Sequence, residues 1–321
     1  MSGRLLLPLM LALAMPACSQ TPADSQGKKA EAKPPATAAP AGSATHRSAE
    51  GTAGRIDPAR AMQYVREMVA LGPRPVGSPA HRKLEDYLRA HLKGDNVETD
   101  EFTASTPAGD FPMRNYIARY PGTKEGVIVI ATHYDTIYSM KNFVGANDGG
   151  SGSGLLLELA NQLRIGKREG ASVWLVWLDG EEAFQKWSAT DSLYGSRHLA
   201  EKWKQDGTTK KIQAFLLLDM IGDADLNIER DSNSTPVLLS VVEQAAAHLG
   251  YQSHFFGREE AVEDDHRPFA AAGVPVADLI DFDYGYGNAF WHTPEDTIDK
   301  LSPRSLEIVG NVVLESVRML D

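Results

Sequence analysis

Three nearly unbroken apolar runs constrain this chain most: GVIVIATH at 126–133, SVWLVWLD at 172–179 and IQAFLLLD at 212–219. A strand with one face in water alternates apolar and polar residues, so runs without that alternation suit strands covered on both faces. Around them, apolar residues recur at helical spacing over 154–163, 194–204, 236–249 and 303–320, and VPVADLID at 274–281 reads as one more strand. Two amphipathic stretches, 57–71 and 78–92, are divided by the breaker GPRPVGSP and precede two β-rich runs, VETDEFTAS and NYIARY. Strand and helix alternate. This predicts an α/β fold with a mixed, mainly parallel central sheet and helices on both of its faces.

The first residues carry a different message. Arg4 precedes an apolar run from Leu5 to Met15, and small residues lead into Cys18. The run is too short to cross hydrocarbon and reads as an export signal. Cys18 is the only cysteine, so intrachain disulfides are excluded, and its setting Met15-Pro16-Ala17-Cys18 predicts a lipoprotein-type signal peptide over 1–18. The expectation is an exported protein, anchored in the bacterial cell envelope by a lipid at Cys18 and by nothing else. Residues 19–54 are rich in Ala, Pro, Lys and Ser with little to bury, which predicts a disordered tether. Residues 55–321 then form a single catalytic domain. A net charge of −11 with scattered Lys and Arg argues against nucleic acid as a partner.

The residues that look chemical are placed with a bias. His133 ends one strand run, Asp179 to Glu182 end the next, Asp219 ends the third, and His292 follows the last. In an open α/β sheet the ligand crevice lies beyond the carboxyl ends of the strands. Taken singly, each has an ordinary explanation. Asp148 in GANDGGSGSG could cap a helix beside a flexible glycine loop, and Glu181 with Glu182 could be a solvated pair at a helix start. Taken together, this many acids at the ends of buried strands cost too much unless a cation compensates them.

Zinc suits such a set, because it takes imidazole nitrogen and carboxylate oxygen, and a catalytic site keeps three protein ligands and one open position. Asp148, Glu182 and His292 would supply the three. Glu181 sits beside a ligand with its side chain free, in the place of a general base or acid. Asp135, two residues past His133, would orient the imidazole from behind. Serine chemistry lacks support, since no GxSxG elbow is present, and the glycine run lacks the Lys-Ser/Thr of a phosphate loop.

The strings ATHYDT (131–136), GANDGGSGSG (145–154), DGEEAF (179–184), LLLDMIG (216–222) and WHTPEDT (291–297) resemble the zinc aminopeptidase superfamily, which holds both di-zinc aminopeptidases and the animal-type glutaminyl cyclases. DGEEAFQKW (179–187), DSLYGSRHLA (191–200), DDHRPF (264–269) and Trp291 before His292 are similar to the cyclases. The resemblance implies Asp148, Glu182 and His292 as zinc ligands and Glu181 as the proton carrier. It also implies a hydrogen-bonded pair of acids, Asp219 with Asp264, and a pocket walled by Trp187 and Trp291. Trp174 and Trp177, inside a strand, read as core. Departures from the cyclase pattern are Asp278 where a His is usual, Glu263 where a Gln is common, the missing cysteine pair, and the extra residues YGYGNAF before Trp291. They bear on substrate preference and on the network behind the ligands.

The implied reaction turns an N-terminal glutamine of a peptide or protein into pyroglutamate and ammonia with one zinc ion. The alternative is an aminopeptidase that needs two, the second held by His133, Asp219 and a bridging Asp148. A binding protein built on a dead enzyme fold would have lost Glu181 or His292, and both are present.

Overall fold

The computed structural model describes residues 55–321. The expected signal peptide, Cys18 and tether lie outside the described residues. In chain order the elements are α1 (Pro58–Val69), α2 (Pro79–His91), β1 (Asn96–Thr106), β2 (Gly109–Tyr120), β3 (Val127–His133), α3 (Gly150–Leu163), β4 (Ser172–Leu178), α4 (Tyr194–Gln205), β5 (Ile212–Asp219), β6 (Ile228–Asp231), α5 (Pro236–Leu249), β7 (Phe255–Glu260), α6 (His266–Ala271), β8 (Val276–Ile280) and α7 (Pro303–Leu320). Helices α1, α2, α5 and α7 each begin at a proline that follows Asp57, Ser78, Thr235 or Ser302. Proline lacks only an N–H that the first turn leaves unpaired anyway. In α1, α2 and α7 the side chain before it takes up another: Ser78 Oγ accepts the His81 N–H at 3.0 Å.

The main sheet has the order β1-β2-β4-β3-β5-β8. Its β1–β2 and β2–β4 pairs are antiparallel, and β4, β3, β5 and β8 run parallel. The fold class is the one expected, and the unbroken apolar runs explain it. On β3, Ile128 and Ile130 face a core shared with α1, α3, α5 and α7, whereas Val127, Val129 and Ala131 face a second core closed by Leu199 and Trp203 of α4 and Phe269 of α6. A strand with apolar side chains on both faces draws a layer of helices to each. Trp177 is fully buried, and Trp174 packs on the second core. The four parallel strands deliver His133, the DGEE turn and Asp219 to one edge.

One expected boundary moves. The glycine run reads as a loop with the helix starting at Gly154, yet α3 begins at Gly150 and its glycines are packed. A Cβ on Gly152 would lie 2.1 Å from Thr132 Oγ1, and one on Gly154 would lie 2.5 Å from Val65 Cγ2. Glycine inside a helix costs about 1 kcal/mol relative to alanine. Here it lets α3 press onto β3 and α1 as no other residue could. The parallel β6–β7 pair and α6 have no counterpart in the sequence reading: β6 has four residues, α6 six, and β7 ends in Arg258, Glu259 and Glu260, all exposed. Elements this short carry no period to read.

Candidate metal centre

The site is built from turns that hold one another by backbone. Asp135 Oδ1 accepts the Glu181 N–H at 3.0 Å, and Oδ2 faces the Glu182 N–H at 3.3 Å. The turn after β4 is thereby fixed to the segment after β3. Asp179 anchors the same turn from the other side, with one oxygen 2.8 Å from His81 Nε2 and the other accepting the Arg114 N–H at 2.8 Å. Asp148 is placed by Asp296, whose two oxygens accept the N–H groups of Asn147 (2.8 Å) and Asp148 (3.1 Å). Tyr284 donates its hydroxyl to Asp296 at 2.8 Å. The buried Arg74 grips the loop ahead of Asp148, donating to the carbonyls of Val144 (2.7 Å) and Gly145 (3.0 Å).

On this frame three donors converge. His292 Nε2 lies 3.3 Å from Asp148 Oδ2 and 3.6 Å from Glu182 Oε1. His292 itself has φ of 51°, in the left-handed region, and its ring stacks on Trp291 at 4.1 Å between centroids. Donors about 2.0–2.1 Å from a tetrahedral zinc stand about 3.3–3.4 Å apart. The same two oxygens, Asp148 Oδ2 and Glu182 Oε1, are buried and have no hydrogen-bond partner among the described residues. Two buried, unpaired carboxylate oxygens turned toward one imidazole fit a divalent cation, and the set fits the zinc type.

The other oxygen of Asp148 serves a second imidazole. His133 Nε2 lies 3.1 Å from Asp148 Oδ1 and 3.2 Å from Asp219 Oδ1. His133, Asp148 and Asp219 therefore also form a group of metal-type donors. Here, however, a ring N–H can satisfy both carboxylates. Burial opposes charge on His133, but Asp135, Asp148 and Asp219 outweigh it and lift its pKa well above the ordinary value.

Asp148, Asp219 and His292 line a cavity of about 390 Å³. Asp148, Glu181, Asp219 and Asp264 lie at its floor, and Trp187, Phe282 and Trp291 among its walls. Burial first, then the charge of Glu182, pushes the Glu181 carboxyl well above the usual range, although His133 pulls it back. Asp264 is raised well above its ordinary value by burial and by the charges of Asp219 and Asp265.

Residues 115–317, which contain all of these donors, match Peptidase family M28. The chain belongs to this family. A glutaminyl-peptide cyclotransferase-like protein of Mus musculus is 34% identical to this M28 chain over 293 residues, covering 81% of it and 75% of the mouse protein. The glutaminyl-peptide cyclotransferase of Drosophila melanogaster is 31% identical over 263 residues, with 73% of each chain covered. The crystal structure of an Acidobacteriales bacterium glutaminyl cyclase is 54% identical, with a TM-score of 0.83, and covers 86% of this chain and 99% of that one. Within M28, these relatives stand on the cyclase side.

The M28 fold brings together every residue picked out as chemical, with differences in detail. Asp135 is 3.5 Å from His133 Nδ1, long for a hydrogen bond, and its firm partners are the two backbone N–H groups. The implied hydrogen bond between Asp219 and Asp264 is not formed: among the described residues Asp264 Oδ2 has no partner and its Oδ1 accepts the Asp265 N–H, while Asp219 Oδ1 is engaged by His133. Trp187 is 39% exposed at the cavity wall and so is not core. Asp278 does not reach the cavity lining: it is buried behind it, with its Oδ2 3.4 Å from His266 Nδ1, whose Nε2 is 3.2 Å from Asp231. The extra residues before Trp291 supply Tyr284, which holds Asp296. Sequence reasoning missed Arg74 and Asp296 as positioning groups. Asp296 lay within the WHTPEDT string, and nothing local distinguished it from a solvated acid.

Proposed function

We propose that this M28 protein is a zinc-dependent glutaminyl-peptide cyclotransferase, acting on N-terminal glutamine of peptides or proteins. The observation that carries the reading is the triangle of Asp148, Glu182 and His292, with its two unpartnered oxygens, at the floor of an aromatic-walled cavity beside buried Glu181. Asp148, Glu182 and His292 would hold the metal. A zinc ion bound there acts as a Lewis acid toward the γ-carboxamide oxygen of the glutamine. Glu181 takes a proton from the substrate's α-amine as that nitrogen bonds to the γ-carboxamide carbon, and then passes it to the departing nitrogen. One C–N bond forms, one breaks, and ammonia leaves. The attack is intramolecular and closes a five-membered ring, so the chain mainly has to hold the bent conformer, with Trp187 and Trp291 as walls. Asp264, whose carboxyl is pushed well above the usual range by burial and by the charge of Asp219, lines the cavity with Oδ2 unpartnered among the described residues and so is free to hydrogen-bond the reacting amide.

A single ion is the simpler count. The His133 N–H between Asp148 and Asp219 already answers the charge that a second cation would answer, and ring closure activates no water. Purified protein given glutaminyl and leucyl arylamides tests the function: ring closure with ammonia release is expected on the first, and brisk release of the amine from the second would make it an aminopeptidase. Two tight zinc ions per chain after dialysis would overturn the single-ion mechanism. Residues 55–321 are proposed as the catalytic domain. Export and lipid anchoring rest on Arg4, the apolar run and Cys18. Labelled palmitate should enter the full chain and not its Cys18→Ser variant.

A further inference from the structure

The mouth of the cavity differs from its floor, and the difference bears on which peptides enter. The segment from Glu260 to Asp264 runs from rim to floor: Glu260 and Glu263 are exposed, Asp264 is 3% exposed, and all three line the cavity. Asp264 Oδ2 has no hydrogen-bond partner among the described residues. Among the described residues, no Lys or Arg lines the cavity. Two arginines lie beside these acids. Arg258 lies 3.1 Å from Asp283 and only 3.7 Å from Glu260 and from Glu229, and Arg267 pairs with Glu263 at 3.2 Å. Four carboxylates here, Glu229, Glu260, Glu263 and Asp283, thus share two guanidiniums, whereas the floor carboxylates of Asp148 and Asp219 lie 3.1–3.3 Å from ring nitrogens of His133 and His292. The walls between, Val262, Ile280, Phe282 and Trp291, carry no charge.

We infer that Glu260 and Glu263 select substrates with lysine or arginine in the one or two positions after the N-terminal glutamine. The inference rests on the cyclase reading and adds a specificity to the same site. Its geometry is that of two chains side by side. A glutamine whose amine and carboxamide both reach the floor must leave by the mouth, and each following residue lies about 3.8 Å further out. Glu263 is next to Asp264 in the chain and Glu260 is four residues away, at most about 14 Å along an extended backbone. The second and third substrate residues thus pass these two carboxylates. The rim is solvated, so the effect is modest and sensitive to salt: exposed ion pairs of this kind change an equilibrium by about two- to fivefold each. The screening length falls from about 10 Å at 0.1 M salt to about 3 Å at 1 M.

The experiment compares kcat/KM of the zinc-loaded protein on Gln-Arg-Ala, Gln-Ala-Ala and Gln-Glu-Ala amides, at 0.05 M and 1 M NaCl. Arginyl over glutamyl preference of about tenfold is expected at low salt, with the alanyl peptide between, and a fall to about twofold or less at high salt. In the Glu260→Gln/Glu263→Gln double variant the ratio should shrink to a similar value at low salt. Because the ratio is taken within one preparation, a loss of folded enzyme cancels. Equal turnover of the three peptides, a reversed order, a preference that survives 1 M salt, or one that survives the double substitution would each overturn the inference while leaving cyclisation established. Absence of turnover on all three would remove the cyclase reading and this specificity with it.

Discussion

Replacing Asp296 by asparagine isolates the part of the centre that no ligand contributes directly. Asp296 Oδ1 accepts from the Asn147 N–H and the Tyr284 hydroxyl, and Oδ2 accepts from the Asp148 N–H. Asparagine keeps one acceptor, which will stay where two donors converge, and turns its amide NH2 toward the Asp148 N–H at about the present 3.1 Å. A buried backbone N–H beside a ligand then loses its partner, at a cost of about 1–3 kcal/mol. In the metal-free protein Asp148 can rotate and recover part of this; with zinc bound it cannot. The expected result is a 10- to 100-fold fall in zinc affinity, roughly the scale known for groups that orient metal ligands. Zinc competition against a chelator reads it, with a melting curve of the same sample to show that the protein is folded. Tyr284→Phe removes one donor and leaves both backbone bonds, so it should weaken zinc by about tenfold less. Unchanged zinc affinity in folded Asp296→Asn, or equal weakening by Tyr284→Phe, would refute the backbone account.

Three further outcomes follow from the same geometry. Glu181→Gln should retain zinc and lose most turnover, while Glu182→Gln should lose zinc, and equal metal loss in both would show the roles wrongly assigned. Gly152→Ala should lower stability by about 1–3 kcal/mol, because its Cβ would stand 2.1 Å from Thr132 Oγ1, and a denaturation midpoint equal to that of the unmutated protein would remove the packing account of α3. Asp281, pushed up to about 7 by burial first and then by neighbouring charges, binds its proton more tightly in the folded chain than in the unfolded one. The stability it contributes is thus complete below about pH 4 and is lost as pH rises toward 7. Asp281→Asn cannot ionise, so the fall in melting temperature between pH 4 and pH 8 should be smaller than in the unmutated protein; an identical fall would exclude Asp281 as its source.

The sequence by itself determined the layers of this fold and picked out the acids and imidazoles that the fold gathers. Unbroken apolar strands can be buried only between two layers of helices, and Asp, Ser or Thr before proline marks where four of those helices start. Parallel strands bring their carboxyl ends to one edge, so His133, Glu181, Glu182 and Asp219 could be read as neighbours from the order of the runs alone. Tertiary structure decided the rest. That Asp148 turns one oxygen to His292 and the other to His133 depends on its backbone being held by Asp296, 148 residues away, and on Arg74 gripping the loop before it. The glycines of α3 are packing surfaces because of where Thr132 and Val65 lie. Asp278 is buried with Oδ2 3.4 Å from His266 Nδ1, and Glu263 is an exposed acid at the mouth, placements set by the fold and not by their neighbours in the chain. Periodicity records which side of an element meets the core, but a buried N–H is satisfied by whichever distant oxygen the fold brings to it, and no local pattern in the chain encodes that pairing.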